Sequence, residues 1–269
     1  GAIVEVRGLT HAYAKGEQPA VDHLDLEVRG GEIVGLLGPN GAGKTTTLKL
    51  ALGLLRRQQG IIRFFDKPFE RHRIETLRRI GSLIESPSLY GHLTARENLR
   101  VWQYLFQCPK ERIQQVLERV GLAGTGTKKA SQFSLGMKQR LSIAVALLHS
   151  PDMLILDEPT NGLDPNGIIE VRELLKTLAR QDGLTVLISS HLLAEIEKLV
   201  SHVGIIHKGR ILFQGKFSEL KERQQRSSVT LLGVSDPLTA MQLLGANGLE
   251  SIREDGHLVH PLMPPGEVE

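Results

Sequence analysis

The chain has 269 residues, 41% of them hydrophobic and 23% charged, a balance that allows a well-buried core and excludes general disorder. A formal net charge of +3 demands no nucleic-acid face, so no nucleic-acid partner is expected, and the pairs Arg56-Arg57 and Arg78-Arg79 read as solvated surface. Cys108 is the only cysteine, which rules out an internal disulfide and a thiolate metal cluster and fits a reducing compartment, while no uninterrupted apolar run reaches the roughly 18 residues of a membrane span.

In chain order, Ile3 to Val6 and Asp25 to Val28 alternate like half-buried strands, and Gly1 to Arg7 lacks the apolar core of an export signal. Glu32 to Leu37 is an apolar run of strand length that leads into Gly38-Pro39-Asn40-Gly41-Ala42-Gly43-Lys44-Thr45-Thr46, a match to the phosphate-binding loop G-x-x-x-x-G-K-[ST]. In such a loop Gly38, Gly41 and Gly43 let the backbone turn its N–H groups toward phosphate oxygens. Lys44 adds a mobile positive charge for the β- and γ-phosphates, and Thr45 a hydroxyl for magnesium. The helix opening at Lys44 favours the anion through its amide dipoles. A simple glycine-rich turn between strand and helix is the alternative; the preceding strand and following helix formers favour the nucleotide site. Ile61 to Phe65 and Ile80 to Ile84 are further expected strands.

Between Pro87 and Ser150 the apolar spacing changes to three and four, predicting helices over Thr94 to Gln107, Lys110 to Val120 and Ser134 to Leu148, an inserted helical subdomain at about 87–150. Strands at Met153 to Leu156, Leu184 to Ser189 and Val203 to His207 then alternate with helices Ile168 to Arg180 and Leu192 to Val200, the rhythm of a parallel sheet wrapped by helices. The charged stretch Lys221 to Ser228 separates a small strand, helix, strand appendage over Val229 to Val234, Pro237 to Ala246 and Leu249 to Arg253, and Pro264-Pro265-Gly266 reads as a frayed end. The fold expected is α/β: a P-loop core with a mainly parallel sheet, an antiparallel β layer at the start, the helical insertion and a small α+β appendage. The domains are 1–220 and 228–269.

The strand Met153 to Leu156 ends in Asp157-Glu158. In a P-loop ATPase the first acid of such a tip holds magnesium and the second polarises the attacking water; the alternative is a strand running into an acidic turn.

Further along, the chain resembles the ATPase subunits of ATP-binding cassette (ABC) transporters. Ser134-Leu135-Gly136-Met137-Lys138-Gln139-Arg140 is similar to the family's signature peptide, with Ser134 and Gly136 retained. The resemblance implies that both present hydrogen-bond donors at a helix N-terminus to the γ-phosphate of the opposite subunit; taken alone, Ser134 is an ordinary N-cap. Asn161-Gly162-Leu163-Asp164 resembles the D-loop at the subunit contact, although Asp164-Pro165 is also a plausible helix start. His191, after Ser189-Ser190, resembles the switch histidine that bonds the γ-phosphate, and Tyr13 sits where the family stacks an aromatic ring on adenine. The family's usual glutamine before the helical insertion is replaced by Glu85, in Ile84-Glu85-Ser86-Pro87. Together with Leu93 to Leu99 and the signature form, this resembles the branch serving bacitracin resistance and lantibiotic immunity. Glu85 is expected to offer an oxygen to magnesium and to sense the membrane partner; the alternative is an acid that meets solvent or a basic residue.

The resemblance covers about Ile3 to Leu220 and implies an ATPase that uses ATP and Mg2+. Catalysis would fall to Glu158, His191 and Lys44, and magnesium to Thr45, Asp157 and Glu85. Two identical or related ATPase chains would close head to tail on ATP and drive separate integral membrane subunits, placing this chain in the cytoplasm on the inner face of the cell membrane. A peptide antibiotic is the cargo the branch suggests. A soluble ABC-type ATPase acting on a ribosome or DNA is the alternative, disfavoured by the single P-loop and the lack of a heptad run; a small-molecule P-loop kinase would not need Ser134 to Gly136 or the D-loop.

Overall fold

The computed structural model describes residues 1–14, 16–85, 89–226, 229–232, 252–254 and 257–261. They fall into two compact units, Gly1–Gln214 and Gly215–Glu269.

The first unit begins with an antiparallel sheet. Strand β1 (Ala2–His11) pairs with β2 (Val21–Arg29) on one side and β4 (Gln59–Phe64) on the other, and the short β5 (Lys67–Pro68) extends the edge. One face of this sheet is apolar because its residues alternate: Val4, Val6, Leu24, Leu26, Val28, Ile62 and Phe64 are all buried. They join Leu48 and Leu50 of helix α1 (Lys44–Ala51) in one core cluster with the inner side chains of the second sheet.

That second sheet has six strands in the order β10-β9-β3-β8-β7-β6. Its strands are β3 (Ile33–Leu37), β6 (Ile80–Leu83), β7 (Met153–Leu156), β8 (Thr185–Ser190), β9 (His202–His207) and β10 (Arg210–Lys216). The pairs β3 with β8, β3 with β9, β6 with β7, and β7 with β8 are parallel. Strands β3, β7 and β8 are buried at every position, as expected of parallel strands covered on both faces. Strand β10 was not foreseen. It returns through Lys208-Gly209, both at positive φ (47° and 77°), the two-residue turn that folds a strand back on its neighbour.

Helices α3 (Ala95–Phe106), α4 (Glu111–Arg119) and α5 (Leu135–Leu147) lie between β6 and β7 in the chain, within two residues of each expected helical span. Thr94 and Glu97 form a reciprocal capping box at the start of α3. Asn98, fully buried, accepts from Tyr90 N–H through its Oδ1 and donates through its amide nitrogen to the carbonyls of Tyr90, Leu93 and Thr94. The Thr-x-Arg-Glu-Asn-Leu stretch thus pins the loop that enters the helical block. Helix α6 (Pro165–Asp182) starts at an Asp164 cap with proline in its first turn and stops at Gly183 in the left-handed conformation. Helix α7 (Leu193–Ile196) is shorter than the expected Leu192 to Val200, and the short α2 (Arg73–Leu77) was not expected.

In the second unit, helix α8 (Phe217–Arg226) occupies most of the stretch read as a separator. Its Glu, Leu, Lys, Gln and Arg residues are strong helix formers without glycine or proline, so polarity misled where propensity decided. Beyond it, β11 (Val229–Leu232), β13 (His257–Pro261) and β12 (Ile252–Glu254) form an antiparallel sheet in that order, with the first and last of the expected strands present in part and β13 added. The expected helix Pro237 to Ala246 and the Pro264-Pro265-Gly266 end lie outside the described residues. Among the described residues, no helix is long and apolar enough to cross a membrane.

Candidate functional site: a phosphate-sized cleft at the strand tips

Three neighbouring parallel strands build this site at their C-terminal tips. Leu36 of β3 is in register with Ser189 of β8, and Ile155 of β7 with Leu187 of β8. Side chains alternate along a strand. The row Leu36 therefore continues to Gly38, the row Leu187 to Ser189, and the row Ile155 to Asp157. Leu36, Ile155 and Leu187 of these rows belong to the core, and Asp157 and Ser189 are the first polar residues beyond it on β7 and β8.

From the tip of β3 the chain enters the glycine-rich loop. Gly43 has φ 106°, and a Cβ there would lie 2.4 Å from the Ala20 carbonyl oxygen; at Gly38 a Cβ would lie 2.3 Å from the Ile206 carbonyl oxygen. Only glycine fits either place. The N–H groups of Asn40, Gly41 and Gly43 find no acceptor among the described residues, and those of Lys44 to Thr46 open helix α1, whose first N–H groups have no intrahelical partner. A run of unsatisfied donors at a helix start is an anion cradle. Of the loop residues, Asn40, Gly41, Gly43, Lys44, Thr45 and Thr46 line an open cleft of about 410 Å³, together with Tyr13, Ala20, Glu158, Asn161 and His191. Gly38, Pro39 and Ala42 do not line it: Ala42 is buried in the core, and the carbonyls of Gly38 and Pro39 accept from Lys44.

Lys44 is 5% exposed, and its Nζ donates to the Gly38 oxygen at 2.8 Å and the Pro39 oxygen at 3.2 Å. The same Nζ lies 3.3 Å from Glu158 Oε1, while His191 Nδ1 donates to Glu158 Oε2 at 2.9 Å. The ionised carboxylate only accepts, so Nδ1 carries the proton. Glu158 itself has φ 48°, a left-handed backbone that costs a non-glycine residue about 1–3 kcal/mol. One step back, Thr45 Oγ1 donates to Asp157 Oδ2 at 2.7 Å, and Ser189 Oγ donates to Asp157 Oδ1 at 2.5 Å. A hydroxyl and a carboxylate side by side are the hard oxygen donors that suit magnesium. Tyr13, 62% exposed, stands at the mouth with its hydroxyl 3.0 Å from Thr46 Oγ1 and its ring edge-on to His11.

Besides Gly38, Pro39 and Ala42, five of the expected residues do not line the cleft: Asp157, which receives the Thr45 hydroxyl, and Glu85, Ser134, Gly136 and Asp164. Glu85, the expected magnesium ligand, has φ 66°, its side chain is 69% exposed, and Lys49 Nζ donates to its Oε1 at 2.6 Å. Hydrogen bonding to Lys49 holds its carboxyl below the usual range and pushes the Lys49 ammonium up. It lines instead a larger groove of about 1040 Å³ bordered by Trp102, Leu105 and Phe106 of α3. Ser134 is exposed and caps α5 by accepting from Met137 N–H, and Asp164 caps α6 by accepting from Gly167 N–H. Gly136 is buried because α5 and α6 approach there, a Cβ on it lying 3.4 Å from Gly167 Cα. Within one chain these three residues form a second cluster rather than part of the cleft.

Sequence reading missed Lys49 and, at the cleft, Ala20 and the bonding of Ser189. For Ser189 the signal was present: it is the polar residue that ends the apolar row of a buried strand beside the acidic tip.

The sequence model of the family described as ABC transporter matches residues 21–161. The chain is 51% identical over 225 residues to the bacitracin transport ATP-binding protein BcrA of Bacillus licheniformis, covering 83% of this chain and 73% of that protein. It is 40% identical over 215 residues to the lantibiotic transport ATP-binding protein SrtF of Streptococcus pyogenes, covering 80% and 91%. In structure it resembles the ATP-binding cassette MJ0796, solved as a dimer in a post-hydrolysis state bound to ADP and Pi, with a TM-score of 0.69, 26% identity, and 80% and 98% of the two chains covered.

Proposed function

The chain belongs to the ABC transporter family as an ATP-binding and ATP-hydrolysing subunit, and from that premise we propose which residues carry the reaction. The triphosphate lies over the N–H groups from Asn40 to Thr46, with Lys44 leaving the Gly38 and Pro39 carbonyls to bridge the β- and γ-phosphates. Tyr13 stacks on adenine. Glu158, released from Lys44, accepts a proton from the attacking water, and His191 exchanges its bond to Glu158 for one to the γ-phosphate. Thr45 and Asp157 hold magnesium, which when bound neutralises phosphate charge as a Lewis acid. The observation that carries this reading is a cleft lined by Lys44, Thr45, Glu158 and His191 beside a run of open amide donors, with Asp157 hydrogen-bonded to Thr45 of that lining.

Ser134, Gly136 and Asp164 form the face offered to a second ATPase chain, identical or related, which closes head to tail on ATP. The nucleotide-binding domain spans about 1–220 with the helical insertion at 87–150, and 228–269 is an accessory segment. Integral membrane subunits form the transport path, with this chain peripheral on the cytoplasmic face. The relatives named for bacitracin and lantibiotic transport support a peptide antibiotic or related amphiphile as cargo. Affinity capture from cross-linked, detergent-solubilised source membranes tests the assembly. Multi-span membrane proteins that co-purify, and are lost on mutation of α3, are the expected result; ribosomal or DNA-bound proteins in their place would overturn the transport assignment while leaving the ATPase.

A further inference from the structure

Ser189 is the last inward residue of the central strand β8, with no exposed surface, and it touches both acids of the neighbouring strand tip. Its Oγ accepts the N–H of Glu158 at 2.8 Å and lies 2.5 Å from Asp157 Oδ1. A serine hydroxyl has one proton. The backbone N–H of Glu158 can only donate, so the proton of Ser189 is directed to Asp157 without ambiguity. Asp157 is therefore held at both oxygens, Oδ1 by Ser189 and Oδ2 by Thr45. The rotation of its carboxylate is fixed, and the oxygen beside Thr45 is turned to the corner where two oxygen donors meet. The second bond satisfies the amide of Glu158, a residue whose left-handed backbone has to be held by its surroundings.

We propose that Ser189 is a positioning residue for the reaction: one buried hydroxyl sets the orientation of the magnesium-holding carboxylate and the backbone of the catalytic glutamate together. It touches neither substrate nor metal. This inference rests on the roles of Asp157 and Glu158 given above. Its physical content is preorganisation, since a ligand oxygen held before the ion arrives need not be ordered when it binds.

The test uses the full chain with Ser189→Ala, which removes the hydroxyl, and Ser189→Thr, which keeps it. Mn2+ binding in the presence of a non-hydrolysable ATP analogue is followed by electron paramagnetic resonance. Analogue binding in EDTA, exchange of the Glu158 amide and steady-state ATP turnover are measured alongside. For Ser189→Ala we expect Mn2+ affinity about tenfold weaker, Glu158 amide exchange faster, and kcat at least tenfold lower. Analogue binding in EDTA should stay within about twofold of wild type. Ser189→Thr should restore Mn2+ affinity to within about threefold. Wild-type Mn2+ affinity and amide protection in the folded Ser189→Ala protein would overturn the inference, as would a Thr variant no better than Ala although equally folded by its thermal transition. A wild-type protein that turns over ATP without any divalent ion would instead overturn the metal reading on which the inference stands.

Discussion

Glu158→Gln separates three quantities that usually move together. In the resting cleft Glu158 is ion-paired with Lys44 and accepts from His191, so the groups assigned to the γ-phosphate are already engaged. At 3.3 Å and an effective dielectric near 20, the raw attraction between Lys44 and Glu158 is about 5 kcal/mol. Lys44 is nearly buried and Glu158 is 20% exposed, so dehydration offsets much of this, and neutralising Glu158 should cost the nucleotide-free protein about 1–3 kcal/mol. ATP must displace the same pair and bring its own negative charge beside the carboxylate. The glutamine variant avoids both, so ATP should bind about tenfold tighter, a gain near 1.4 kcal/mol. Turnover should fall at least a thousandfold with the general base gone. Urea denaturation without nucleotide, titration with ATP and magnesium, and phosphate release read the three effects separately. Unchanged stability together with unchanged ATP affinity would refute the resting ion pair, and wild-type turnover would remove Glu158 from catalysis.

Lys44→Ala should weaken ATP binding at least a hundredfold, because it removes a cation held along the loop; an affinity within threefold of wild type, by the same titration, would contradict the assignment. Gly43→Ala and Gly41→Ala should differ. Both have positive φ, but only at Gly43 would the new Cβ strike a backbone carbonyl, so denaturation midpoints should show a loss of about 1 kcal/mol at Gly41 and more than about 2 kcal/mol at Gly43. Glu85→Gln breaks the ion pair with Lys49, and with the membrane partner present it should change coupled ATP turnover; identical turnover in wild type, Glu85→Gln and Glu85→Ala would leave Glu85 without a sensing role. His149 packs against Phe106 and donates from Nε2 to the Ile80 carbonyl, and burial pushes its pKa down from 6.5. The unfolded chain then binds more protons than the folded one below that value, so His149 lowers stability as pH falls through about 6.5. The stability difference between His149→Gln and wild type should therefore shift in favour of the variant from pH 7.5 to 5.5, and a pH-independent difference in urea midpoints would reject this.

What the chain alone determined was local and periodic. The motif from Gly38 to Thr46 announces itself because glycine spacing, a lysine and a hydroxyl are chemically unusual together, and the apolar run before Asp157-Glu158 marks a strand tip by composition. Helices α3 and α5 were legible from apolar spacing, and α6 was read from Ile168 to Arg180 although it starts at the Asp164 cap, whose side chain accepts from a residue three further on. Three things lay beyond such reading. Helix α8 looked like a polar linker because exposed helices carry no apolar signal of strand or core. Glu85 was aligned with a magnesium ligand by its place in the chain, and nothing around it in the chain announced its ion pair with Lys49 of α1. Ser189 looked like one serine of a pair, and only the parallel register of β8 beside β7 brings its hydroxyl to both acids. Hydrogen bonds reach about 3 Å, whereas these partners are separated by about thirty residues or more in sequence, so their pairing is decided by the packing of the sheet and helix and not by any pattern along the chain.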